Sequence, residues 1–192
     1  MSSHEEKITL AGGCFWCIEA AFIQLVGIKS AISGYMGGNA ALATYEDVCS
    51  GESGHAEVVQ LTFDTTEISA REILEVFFTL HDPSQLNRQG NDIGTQYRSG
   101  IFYHNKEQQA LALKVITEIN ACDMFDAVVV TEVTESSVFF SGEAFHQDYF
   151  NNNPNTPYCQ VIVSPKLAKF RQTFVSKLKP TVHEVESLSA FG

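Results

Sequence analysis

Basic residues are scarce in this 192-residue chain: 12 Lys and Arg stand against 23 Asp and Glu, a formal net charge of −11. No Lys/Arg cluster or stripe occurs. The footprint that nonspecific nucleic-acid binding needs to neutralise phosphates is therefore missing, and anionic membrane surfaces are disfavoured for the same reason. No run of about 18 apolar residues occurs, so no transmembrane helix is expected. The opening Met1-Ser2-Ser3-His4-Glu5-Glu6 is polar and acidic, with no apolar stretch behind it. It reads as neither a secretory signal nor a transit peptide, and a reducing cytoplasmic compartment is expected. Internal repeats and a convincing linker are also lacking.

What is present suits a packed core. The chain is 44% hydrophobic, with 14 Phe, 6 Tyr and 1 Trp, which excludes a disordered or fibrous chain. Its length makes one domain the default. The expected division is a short polar extension over 1–6, a catalytic domain over 7–180 and a loose tail over 181–192. Cysteines stand at 14, 17, 49, 122 and 159. An odd count in a cytosolic chain of this length points to chemical use of cysteine rather than to a disulfide framework.

Lys7–Ala11 reads as a short strand, and Gly12-Gly13 turns the chain. Phe15, Ile18, Phe22 and Leu25 then recur at helical spacing. Cys14 thus sits at a strand–turn–helix junction. Ile28–Met36 is a second strand candidate. In Ala56–Phe63, Glu57, Val59, Leu61 and Phe63 share one face, and Gln60 and Thr62 share the other. Ser69 with Glu72 forms a capping box ahead of the apolar stripe Ile73, Leu74, Phe77 and Phe78. Residues 81–98 lack periodicity, and a loop of that length inside a compact domain is often functional. Ile101–Tyr103 is a strand, and Asn105 caps a helix to about Asn120. Val128–Val133 and Val138–Phe140 read as a hairpin, Glu143–Phe150 as a short helix and Gln160–Val163 as a strand. Ser164-Pro165 opens the last helix, with Leu167, Phe170, Phe174 and Leu178 inward and Pro180 as its stop. This irregular alternation predicts an α+β, single-domain two-layer sandwich of helices on a mixed sheet.

Four clusters carry chemistry. In Gly12-Gly13-Cys14-Phe15-Trp16-Cys17, a helix N-terminus offers free N–H groups and partial positive charge that stabilise a thiolate. Cys17, three residues on, could pair with Cys14 in a disulfide or join it on a metal. A buried, inert pair is the plain alternative. A structural zinc site usually has two close ligand pairs, and only one is present. In the cluster running from Thr44-Tyr45 to His55-Ala56-Glu57, the informative residue is Glu57. A carboxyl among Val59, Leu61 and Phe63 tends to keep its proton near neutrality and can donate it in a reaction. A strand-end Glu reaching solvent is the alternative, and His55 reads as structural. The segment from His81-Asp82-Pro83 through Gln89-Gly90-Asn91-Asp92 to Arg98-Ser99 packs hydrogen-bonding side chains into an irregular stretch. Ala144–Phe150 reads as half core and half surface.

Together these clusters resemble the A class of peptide-methionine sulfoxide reductases. The resemblance covers roughly residues 7 to 163 and rests on Gly-Cys-Phe-Trp at 13–16, Gly34-Tyr35, Thr44-Tyr45, Cys49-Ser50-Gly51, Gly54-His55-Ala56-Glu57, His81-Asp82-Pro83, the 89–99 segment and His146-Gln147-Asp148-Tyr149. It implies a ferredoxin-like core and reduction of the S-epimer of methionine sulfoxide, free or in proteins. It implies Cys14 as nucleophile, Glu57 as acid, Tyr45 and Tyr97 as donors to the sulfoxide oxygen and Asp92 as support. Phe15 and Trp16 would form the pocket for the substrate methyl group. It implies thioredoxin or a similar dithiol as reductant, and no metal or organic cofactor. Position 17 is often Gly in the family and is Cys here. Tyr158-Cys159 matches the place where many members carry a resolving cysteine, while the glycine-rich tails of some relatives are absent. Cys17 and Cys159 are therefore both candidates to resolve a sulfenic acid on Cys14. Cys49 and Cys122 are expected to be structural. A thioredoxin-type dithiol oxidoreductase built on Cys14 and Cys17 is the competing reading, but it leaves Glu57, Tyr45 and Tyr97 without a role.

Overall fold

The computed structural model describes residues 4–180. Its centre is a six-stranded sheet in the order β7-β6-β1-β3-β2-β8. The elements are β1 Glu5–Ala11, α1 Phe15–Phe22, β2 Ile28–Met36, α2 Tyr45–Cys49, β3 Ala56–Asp64, α3 Ala70–Leu80, β4 Arg88–Gln89, β5 Asp92–Ile93, β6 Gly100–Tyr103, α4 Lys106–Ala121, β7 Glu132–Glu135, β8 Phe140–Ser141, α5 Tyr149–Asn152 and α6 Ser164–Thr173. β1 lies antiparallel between β3 and β6, and β2 antiparallel between β3 and β8. β7 joins β6 in parallel, which makes the sheet mixed. The strand period of two divides the side chains between two faces. Ile8, Leu10, Val59, Leu61 and Phe63 enter the main core with Phe15, Ile18 and Phe22 of α1 and Ile73, Leu74 and Phe77 of α3. Ala11, Met36, Ala56, Val58 and Phe102 form a smaller cluster. The chain is thus a single mixed α+β domain, and among the described residues no helix is long and apolar enough to cross a membrane.

Local signals explain the helix starts. The Ser69 side chain accepts from the Glu72 N–H while the Glu72 carboxylate accepts from the Ser69 N–H, the reciprocal capping box. Asn105 caps α4 by accepting from the Gln108 N–H at 2.8 Å. Pro165 occupies the first turn of α6, where its missing N–H costs nothing.

Glu143–Phe150 is not one helix but a turn over Ala144–His146 followed by α5, the last helix ends at Thr173 rather than near Pro180, and two strand expectations fail. Val128–Phe140 is not a hairpin, because β7 and β8 lie at opposite edges of the sheet. Residues 136–139 link them, and Phe139 packs on the smaller cluster of Ala11, Met36, Ala56, Val58 and Phe102. Val128–Val130 is held outside the ladder, with the Val129 N–H on Asn120 Oδ1 and the Val130 N–H on the Pro83 carbonyl. Gln160–Val163 is not a strand but part of a π-helical turn over Cys159–Val163 that runs into α6. Cys159, Val163, Leu167 and Phe170 are buried at helical spacing, and that packing overrides the β preference of Val and Ile. The expected tail over 181–192 lies outside the described residues, and β1 begins at Glu5, inside the expected extension.

Candidate active site

Cys14 is the N-cap residue of α1, with extended backbone. Gly13 before it has φ 86°, and a Cβ there would lie 2.8 Å from Gln89 Cβ and Cγ. Only glycine lets the β1–α1 turn press against the 81–89 loop. The next residue, Phe15, donates its backbone N–H to Glu57 Oε2 at 3.1 Å. This free N–H of the first helical turn therefore fixes a carboxyl group beside the thiol.

Glu57 is 3% exposed on β3, as the strand alternation requires. Burial pushes its carboxyl up to about 8; the Phe15 N–H opposes this, and Asp92 and Cys17 add to it. It is a neutral acid at neutral pH.

A cavity of about 160 Å³ joins Cys14, Phe15, Trp16, Tyr45, Glu57, Asp92, Tyr97 and Tyr158. All residues assigned above to catalysis or substrate binding meet there, although they come from five separate parts of the chain, and Tyr158 joins them from a sixth. A larger hollow of about 500 Å³, between the end of α3 and α6, holds none of them. Size does not mark the site; convergent polar groups and a thiol do.

Each wall has a cause. Tyr45 starts α2, and its N–H donates to Glu143 Oε1 at 2.7 Å, while the Tyr35 hydroxyl donates to Glu143 Oε2 at 2.8 Å. Burial raises Glu143, and these donors overcome it and hold the carboxylate below its usual range. Trp16 stacks on Tyr149 at 3.7 Å and 7°, and its Nε1–H donates to His146 Nδ1 at 3.2 Å. That bond leaves the proton of a neutral His146 on Nε2, and burial lowers the tendency of this ring to charge. The Tyr158 hydroxyl donates to Asp92 Oδ2 at 2.9 Å, and its ring meets Trp16 edge-on at 5.7 Å. Burial raises the pKa of Tyr45, Tyr97 and Tyr158, so all three hydroxyls remain donors. The 141–148 segment is pinned by the Asp148 N–H on Glu19 Oε1 and by Gln147 on both the N–H and the carbonyl of Ser33.

The thiols correct the sequence reading. Cys14 is 9% exposed, not open to solvent. A helix N-terminus favours a thiolate, yet burial pushes the Cys14 thiol well up, with the neighbouring Cys17 thiol and the Glu57 charge adding to it. Cys17, one turn along α1, is lowered by its contact with Cys14, against burial. Cys159 is 0% exposed and does not line the cavity. Cys49 and Cys122 are exposed rather than packed in the core. His55 is structural, with Nδ1 accepting from the Gly38 N–H and Nε2 beside the Asn39 carbonyl. His81 bonds Phe77 O and Ser99 Oγ, and burial lowers it to about 4. No group of three or more His, Cys, Asp or Glu placed to hold a metal occurs among the described residues.

Sequence reasoning missed Glu143, His146 and Tyr158 as parts of the wall. The signal for His146 is the density of aromatic and hydrogen-bonding residues in 144–150, a segment whose reading as half core and half surface gives no site role; Glu143 and Tyr158 carry no comparable local signal.

The sequence model of the peptide methionine sulfoxide reductases matches residues 6–178. The chain is 50% identical over 179 residues to a peptide methionine sulfoxide reductase MsrA of Saccharolobus solfataricus, covering 93% of this chain and 99% of that one. It is 51% identical over 173 residues to an MsrA of Haloquadratum walsbyi, covering 90% and 98%. Among solved structures, Mxr1 from Saccharomyces cerevisiae in reduced form superposes with a TM-score of 0.76 at 31% identity, covering 83% of this chain and 91% of that one. Mxr1 in complex with Trx2 superposes with 0.53 at 25% identity, covering 78% and 87%. A buried thiol, a protonated carboxyl and tyrosine hydroxyls around one side-chain-sized cavity agree with these likenesses: the chain belongs to the peptide methionine sulfoxide reductase family and is an oxidoreductase.

Proposed function

We propose that the protein reduces methionine (S)-S-oxide, free or in polypeptides, to methionine in the cavity at Cys14. The observation that carries this reading is the pairing of a thiol with a carboxyl that keeps its proton to about pH 8. A sulfoxide sulfur is a weak electrophile until its oxygen is protonated or hydrogen-bonded. Tyr45 and Tyr97 donate to that oxygen, and Glu57 gives it a proton. With Glu57 neutral, its charge no longer opposes ionisation of Cys14. The sulfur of Cys14 attacks the sulfoxide sulfur, and Glu57 regains a proton as the thiol loses its own. The oxygen then bonds to the sulfur of Cys14 as the substrate S–O bond and the transient bond between the two sulfurs break, which leaves a sulfenic acid on Cys14. Cys14 is oxidised by two electrons and methionine leaves reduced. Phe15 and Trp16 hold the methyl group, and Asp92 orients Tyr158.

Cys17 is our choice of resolving thiol over Cys159. It lies one helical turn from Cys14 and its thiol hydrogen-bonds that of Cys14, whereas Cys159, buried in the same core, is not among the groups in contact with Cys14. Attack of Cys17 on the sulfenic sulfur forms the disulfide and releases water. A dithiol then restores both thiols by exchange. Thioredoxin is the proposed reductant, a reading supported by the yeast relative's complex with Trx2. We read β1-α1-β2-β3-α3-β6, with strand order β6-β1-β3-β2, as a ferredoxin-like core within a catalytic domain over 7–180.

An epimer-resolved assay tests the function. With dithiothreitol, the S-epimer is consumed and the R-epimer remains. Consumption of the R-epimer alone, or of neither, overturns the reading.

A further inference from the structure

The cavity holds about 160 Å³, room for one side chain. A polypeptide substrate must leave its backbone and neighbouring residues outside, against the rim. Phe145 lies next to Tyr45, which lines the cavity. It is 61% exposed and is the only exposed aromatic residue among those described. Its ring lies 4.1 Å from the His146 ring and 6.3 Å, edge-on, from Tyr45. His146 in turn contacts Phe15 at 5.0 Å and Trp16 at 5.7 Å. The exposed ring thus continues the aromatic wall outward from the methyl pocket. From Trp16 the wall runs on through Tyr158 to Asp92. The residue after Asp92 is Ile93, 68% exposed on the β4–β5 hairpin. On that strand Ile93 faces away from Asp92, so the exposed apolar end of the wall is Phe145.

A single exposed apolar residue needs no explanation. Phe145 differs in being exposed on a rigid mount. Glu143 before it is held by Tyr45 and Tyr35, and Gln147 and Asp148 after it are tied to Ser33 and Glu19. A side chain fixed before binding loses little freedom on contact, so its apolar area is available for affinity.

We infer that Phe145 forms an apolar rim that binds residues flanking methionine sulfoxide in unfolded polypeptides and favours those with aromatic or branched aliphatic side chains. The inference rests on the proposed reductase activity at Cys14. In an extended chain, residues two positions from the sulfoxide face the same way as its side chain, so these are the ones that meet the rim. The recognition is apolar and sequence-tolerant, as suits repair of many unfolded segments.

The test uses the reduced full chain with dithiothreitol and three substrates. These are N-acetyl methionine (S)-S-oxide, a peptide with Phe two residues to either side of the sulfoxide, and the same peptide with Ser there. The Phe peptide should exceed the Ser peptide about tenfold in kcat/KM, through KM. Phe145→Ala should collapse that ratio to near one, and Phe145→Tyr should retain most of it. Equal kcat/KM for the two peptides in the unsubstituted protein overturns the inference, as does an undiminished ratio in Phe145→Ala. Failure to reduce N-acetyl methionine (S)-S-oxide would instead overturn the reductase reading itself.

Discussion

Glu57→Gln separates hydrogen bonding from proton donation at one position. Glutamine keeps an oxygen for the Phe15 N–H and an N–H₂ for the substrate oxygen, but it cannot release a proton. With a value of about 8, the native carboxyl is roughly nine-tenths protonated at pH 7, whereas an ordinary carboxyl would be about one part in three hundred. General acid catalysis contributes about 10²–10⁴-fold, or roughly 2.7–5.5 kcal/mol of barrier. The variant should lose that much in kcat, with KM little changed. Native activity should hold to about pH 8 and fall above it; the residual activity of the variant should lose that step. Stability supplies an independent readout. A carboxyl whose folded pKa is raised binds more protons folded than unfolded between about 4.5 and 8. The native protein therefore loses stability as pH rises through that window, by about 3 kcal/mol at pH 7. Glutamine has no such loss. Urea unfolding from pH 4.5 to 7 should show the variant gaining on the native protein by about that amount. A kcat loss under about tenfold, or a stability difference flat with pH, would refute the assignment of Glu57 as the protonated acid.

Cys17→Ser should release one equivalent of methionine and then stall with thioredoxin, while dithiothreitol still supports turnover. Cys159→Ala should recycle with thioredoxin, because the core cysteine takes no part; recycling by Cys17→Ser and stalling by Cys159→Ala would reverse the assignment. Glu143→Ala removes the acceptor that seats Tyr45 and should lower kcat by up to the roughly 10²-fold expected for one misplaced oxyanion donor; unchanged steady-state kinetics would contradict this. Gly13→Ala forces a Cβ into Gln89 at a φ of 86°, and should cost about 1–2 kcal/mol in thermal unfolding from the backbone conformation alone.

Much of the site was legible because its chemistry needs particular residue types in particular local frames. Glu57 was found from a period of two, and Cys14 from two glycines ahead of a helical stripe. Ser69 and Asn105 announced their helices by short-range hydrogen bonds that depend on no distant partner. The failures share the opposite property. Whether Val128–Val130 joins a strand depends on Asn120, nine residues back, and on Pro83, far away in sequence. Whether Gln160–Val163 is extended or helical depends on Cys159, Val163, Leu167 and Phe170 finding the main core. Burial of Cys14 depends on Tyr158 and on the loop from Asp82 to Asp92. His146 and Glu143 look like surface residues until Trp16, Tyr35 and Tyr45 are seen to use them as acceptors. Local grammar reveals the groups proposed to react; the groups that hold them arrive from across the fold.

The central claim is that the sulfur of Cys14 takes the sulfoxide oxygen. Its most direct test is a single turnover of pre-reduced protein with methionine (S)-S-oxide and no added reductant, with free methionine and intact protein mass read together. One methionine should form per chain, and the protein should lose two hydrogens as a Cys14–Cys17 disulfide, with neither change in Cys14→Ser. Methionine released by folded Cys14→Ser would contradict the account.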